Sequence, residues 1–188
     1  MQPRYDLNWV QQQYTDNGQL DARYFWGHQP RKNGQIGESC FSQWWHEGFR
    51  LDGKTFATAE HWMMYEKARL FDDTASMSAI LAAASPQEVK ELGRQVVGFE
   101  DETWRAERYA IVYQGNYHKF SQDDPMREFL LSTGEAVLVE ASPYDRIWGI
   151  GLKKGDAGFD NPFQWRGENL LGFALMEVRD RLRAEANA

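Results

Sequence analysis

Hydrophobic and polar positions alternate along this chain with two periods, and the helical one dominates. Residues 49–56 (FRLDGKTF) alternate apolar and polar positions around Asp52-Gly53, a pair suited to a two-residue turn, and predict a hairpin. Thr58 then caps a helix running to about Phe71, and Ala75 to Ala84 forms a short Ala-rich one. Ser85-Pro86-Gln87-Glu88 is a capping box with proline at the first helical position, opening a helix that ends near Val97 before Gly98. Asp101 starts a long helix through about Lys119, and Asp124-Pro125 a short one stopped at Gly134. Ala136 to Glu140 is the best strand after the hairpin, and Glu168 to Arg183 the last helix. Six helices and a few strands without βαβ alternation predict an α+β domain, mainly helical, with a small antiparallel sheet. Residues 1–22 read as an irregular lead-in to a single domain over 23–188, and the Gly- and Asp-rich loop from Ser142 to Arg166 is long enough to be functional.

One helical face carries charges where a core stripe belongs. In residues 58–71, positions Glu60, Met63, Met64, Lys67, Ala68 and Phe71 fall on one side at helical spacing. Four are apolar, yet Glu60 and Lys67 stand among them, two turns and about 10 Å apart. Lys67 can snorkel to solvent and Glu60 can complement the helix dipole. A cleft cutting across the stripe is the alternative. There a carboxylate takes a proton from water or stabilises a developing cation.

The 188 residues carry a net charge of −7, and no basic stripe suits an extended duplex-DNA footprint. No stretch reaches the ~18 apolar residues of a membrane helix, and residues 1–14 lack the apolar run of a secretory signal. The lone Cys40 excludes an internal disulfide and fits a reducing compartment, so a cytoplasmic monomer is expected. His61 points roughly 100° away from Glu60, and His28, His46 and His118 are scattered, so no metal site is expected. Nucleophile-elbow, P-loop and dinucleotide-binding signatures are absent.

Eight Trp, eight Tyr and eleven Phe mostly supply core, but Trp148 sits among glycines after Asp145 and Arg146. An open ring there stacks a base, Arg146 can meet a phosphate, and Asn169 offers a donor and an acceptor at a helix start. A Trp plugging the core and an Asn serving as cap are the plainer readings of the same residues.

Taken in order, residues 39–45 (SCFSQWW), 58–68 (TAEHWMMYEKA), 92–94 (LGR), 139–143 (VEASP), 145–149 (DRIWG) and 167–179 (GENLLGFALMEVR) resemble the NADAR family, also called YbiA-like. The resemblance spans roughly residues 23 to 182. It implies a YbiA-like fold and a hydrolase of the N-glycosidic bond between ribose and a base, needing no cofactor. It places Glu60 and Lys67 as catalytic and Trp148, Asn169, Arg94 and Asp145 as substrate-binding, beside Arg146 and Gln43. Gln43 departs from the family's usual Asn, and the loop from Lys153 to Trp165 is longer than in shorter members. Family substrates are ribosylamino-pyrimidine phosphates of riboflavin synthesis, the expected class here, and ADP-ribosylated guanine. A non-catalytic nucleotide-binding module is the rival class, and it has no need of Glu60.

Overall fold

The computed structural model describes residues 3–188. In chain order the elements are α1 (Leu7–Asn17), β1 (Ala22–Phe25), a 3-10 turn (Glu38–Phe41), β2 (Phe49–Leu51), β3 (Lys54–Phe56), α2 (Ala59–Leu70), α3 (Thr74–Ala82), α4 (Pro86–Arg94), α5 (Asp101–Ser121), α6 (Asp124–Ser132), β4 (Val137–Glu140) and α7 (Leu170–Ala186). The fold is mainly helical α+β, as expected. Among the described residues no helix is long and apolar enough to cross a membrane.

α2 is the central helix. Thr58 Oγ1 accepts from the His61 amide at its start, and residues 59–66 and 68 are buried on every side. It packs against α3, α4 and α5. The approaches are close: a Cβ at Gly115 of α5 would collide with the Trp62 indole, and one at Gly93 of α4 with the Met64 sulfur. The single-stripe expectation therefore understated its burial, that of Glu60 included.

The hairpin forms as read, β2 and β3 pairing antiparallel with Phe49 opposite Phe56. Asp52 at φ 49° and Gly53 at φ 74° make the left-handed pair that its tight turn demands. The second sheet corrects the expectation of a purely antiparallel one: β1 pairs with β4 in parallel, Ala22 beside Val137 and Phe25 beside Glu140. This pairing carries β4, flanked by α7, to the wall of the central cavity.

The irregular lead-in is also corrected. Leu7–Asn17 is a helix with Asp6 as N-cap, its Oδ1 accepting from the Trp9 amide at 2.7 Å, and Gly18 closing it at φ 74°. Residues 1 and 2 lie outside the described residues. Val10 is this helix's single fully buried side chain, and side-chain ties such as Tyr5 Oη to Asp180 at 2.6 Å dock the segment on α7. The remaining boundaries shift by a few residues: α4 stops at Arg94 rather than Val97, and α7 begins at Leu170 rather than Glu168.

Candidate active site

A cavity of about 600 Å³ opens between α2, α4, the end of β4 and the loop that follows it. Its base comes from the first turns of α2, where Glu60 is buried beside Met63 and Met64, with Lys67 farther along. Lys90 and Arg94, one turn apart on α4, form one wall. Gln43 and Trp44 face them from the segment after the 3-10 turn, while Glu140, Asp145 and Trp148 close the far side. Exposed Trp26 and Tyr144 stand at the mouth with ring centroids 6.1 Å apart.

Local sequence explains these placements. The Glu60 amide donates to the Gln43 carbonyl at 3.0 Å, joining the start of α2 to the facing segment. That segment is held from below by Lys119 of α5, fully buried, whose Nζ donates to the carbonyls of Cys40 at 2.6 Å and Ser42 at 2.8 Å. Asn116, one turn earlier on α5, donates to Gln43 Oε1 at 2.8 Å. Gln43 Nε2 is buried without a partner among the described residues, on a residue that lines the cavity. Asp145 Oδ1 accepts the amides of Ile147 and Trp148 at 2.8 and 2.7 Å, folding the turn that presents the half-buried Trp148 ring.

Burial dominates the electrostatics. Loss of water pushes the Glu60 carboxyl up to about 7, against the pull of Lys90, a hydrogen bond from Trp44 and the charge of Arg94; Asp145 pushes the same way as burial. Glu140 goes further, to about 8, through burial and the neighbouring charges of Asp145 and Glu60. As a residue Glu140 is half-buried, but its Oε2 is sealed from water and has no partner among the described residues. Lys67 is lowered from the usual lysine range by partial burial. Its Nζ donates to the Gly93 carbonyl at 2.7 Å and lies 4.2 Å from the Phe99 ring centroid.

Six residues singled out in the sequence meet here: Gln43, Glu60, Lys67, Arg94, Asp145 and Trp148. Two do not. Asn169 is fully buried behind the cavity, its Oδ1 accepting the Glu140 amide at 3.0 Å and its Nδ2 donating to the Leu138 carbonyl at 2.9 Å. It braces β4, with no surface left for a substrate. Arg146 is exposed and outside the lining, because the turn set by Asp145 aims Trp148 inward and its neighbour outward. Cys40 is a buried hydrophobe, its thiol pushed up to about 12 by burial.

Sequence reasoning missed Lys90, Glu140 and Trp44. Lys90 and Arg94 are four apart on a well-capped helix, a spacing that was visible. Glu140 was visible as the charged end of an otherwise apolar strand. Nothing in the sequence separates Trp44, a cavity residue, from its buried neighbour Trp45.

Residues 24–183 match the NADAR domain family. The chain is 40% identical to N-glycosidase R617 of Acanthamoeba polyphaga mimivirus, over 84% of this chain and 95% of that one. It is 31% identical to N-glycosidase YbiA of Escherichia coli, over 78% and 81% of the two chains. The NMR structure of the E. coli protein YbiA superposes with a TM-score of 0.70 at 27% identity, covering 89% of each chain. Sequence and fold agree across nearly the whole molecule: this chain belongs to the NADAR family of N-glycosidases.

Proposed function

We propose that the chain hydrolyses the N-glycosidic bond of a ribosylamino-pyrimidine phosphate, of the kind formed early in riboflavin synthesis. The observation that carries this reading is the single cavity holding a buried carboxylate, Glu60, two cations one turn apart, Lys90 and Arg94, and the Trp148 ring. Trp148 stacks the base, the α4 cations take the phosphate, and Glu60 faces the ribose carbon. Breaking a ribosyl–nitrogen bond develops positive charge on the sugar, which a carboxylate beneath it stabilises while water adds. Lys67, tethered to the Gly93 carbonyl, borders the same space as a further cation. In this reading the working unit is a cytoplasmic monomer.

ADP-ribosylated guanine is the second reading, favoured by one feature. Trp26 and Tyr144, 54% and 87% exposed at the mouth, offer a second stacking surface for the adenine of an ADP-ribosyl group. Incubation with each substrate followed by mass spectrometry decides between them. Free pyrimidine and ribose 5-phosphate are the expected products. Release of guanine alone overturns the first reading in favour of the second.

A further inference from the structure

We infer that Glu140 is a second catalytic residue of the cavity, giving its proton to the leaving nitrogen while Glu60 faces the sugar. The inference rests on the reading that a ribosyl–nitrogen bond is cleaved here, whichever base it carries.

Geometry sets Glu140 apart from a structural carboxylate. It ends β4 at the cavity wall, with its backbone fixed twice: its amide donates to Asn169 Oδ1 at 3.0 Å, and it sits beside Phe25 in the parallel pair. Its side chain has no such ties. Oε2 is sealed from bulk water and unpartnered among the described residues, although buried carboxyl oxygens are normally hydrogen-bonded. Gln43 Nε2, equally buried and equally unpartnered, belongs to the same cavity. A rigid strand thus holds at the cavity wall a carboxyl group with unfilled bonding capacity.

The two carboxyls divide the work through their surroundings. Glu60, on α2, has Lys90 and Arg94 of α4 and the Trp44 hydrogen bond to favour its charged form. Glu140 has Asp145 of the following loop and Glu60 itself against it, with Lys90 as its one favourable charge. Lys67, His28 and Tyr144 complete the titratable groups of the lining. Burial and like charges therefore keep the proton on Glu140 over a range in which Glu60 can ionise.

The step balances without a co-reactant. As the bond between C1′ and nitrogen breaks, its electron pair leaves with nitrogen, and nitrogen takes the Glu140 proton. Water adds its oxygen to C1′, and the proton it releases returns to Glu140. One water is consumed and both carboxyl groups end as they began.

The test is Glu140→Gln, which keeps size and polarity but carries no transferable proton, on whichever N-ribosyl substrate the wild-type protein turns over. Expected are a kcat lower by about a hundredfold or more, a substrate Kd within threefold of wild type, and loss of the alkaline fall in the kcat–pH profile. Glu140→Asp, which keeps the acid on a shorter stem, should recover part of the rate and restore that fall. A kcat within threefold of wild type overturns the proposal. So does a lowered kcat whose alkaline fall persists unchanged in Glu140→Gln. Wild-type turnover of the pyrimidine or the guanine substrate is scored separately and decides the substrate reading alone.

Discussion

Asn169 stands behind Glu140 and holds the strand that carries it, Oδ1 accepting the Glu140 amide at 3.0 Å while Nδ2 donates to the Leu138 carbonyl at 2.9 Å. It does so from a left-handed backbone, φ 54°, at the entry to α7. An asparagine that looks like a substrate contact in sequence is a brace for one. Asn169→Ala strands a buried amide and a buried carbonyl, each worth about 1–3 kcal/mol. Asn169→Gly accepts the backbone angle but loses the same bonds. Both variants should melt lower, by about 2–4 °C per kcal/mol for a chain of this size, with Gly the milder. A higher KM at unchanged melting temperature would return Asn169 to the substrate.

The α4 cations make a separable prediction. Neither Lys90 nor Arg94 has an ion-pair partner among the described residues, and both line the cavity. Lys90→Gln and Arg94→Gln should each raise KM for a phosphorylated substrate by roughly tenfold, about 1.4 kcal/mol, and leave the dephosphorylated nucleoside little changed. Lys90→Gln should also move the acid limb of the pH profile upward, since Lys90 favours the charged form of Glu60. Equal losses on both substrates would remove the phosphate from α4.

How far the sequence foretold all this depends on whether the physics is local. The Asp52-Gly53 turn, the Thr58 cap and the Ser85 capping box are encoded within a few residues, and all three stand where the pattern puts them. β1 was missed because its partner β4 lies more than a hundred residues away, and the four residues of β1 carry no period of their own. α1 was missed because a single buried side chain leaves no apolar stripe to detect. In the site, Glu60 was legible as a charge on an apolar helix. Glu140 was visible as a charge ending an apolar strand, but its role was not, since that comes from Glu60, Asp145 and an empty bonding position that only the fold brings together.

Trp148 is half-buried, packed on the core along one side and lining the cavity on the other. Stacking of a base on such a face is worth about 1–3 kcal/mol. Trp148→Ala should therefore weaken substrate binding by tenfold or more by calorimetry while the domain keeps a cooperative melt. Trp148→Phe should recover much of the loss. Failure of the alanine variant to melt cooperatively would make the ring core rather than platform.

The protonation of the two carboxyls is coupled to stability. Free glutamate titrates near 4.5, whereas the fold pushes Glu60 up to about 7 and Glu140 up to about 8. Between those limits the unfolded chain has lost protons that the folded chain retains, so both groups oppose folding increasingly as pH rises. Stability they do not cost below about 4.5 is lost as pH climbs through 7 and 8. His61 and His118, lowered chiefly by burial, act in the opposite sense on the acid side, so the net curve mixes several groups. A difference measurement removes them. Glu140→Gln cannot titrate, and its melting temperature relative to wild type should rise steadily from pH 5 to pH 8, each pH step inside the window being worth up to about 1.4 kcal/mol. The variant that loses turnover is then the more stable protein at neutral pH, as expected when a site is held in an unfavourable protonation state for function. A constant difference across that range would mean that Glu140 titrates like free glutamate, and the proton it is proposed to carry would be absent at working pH.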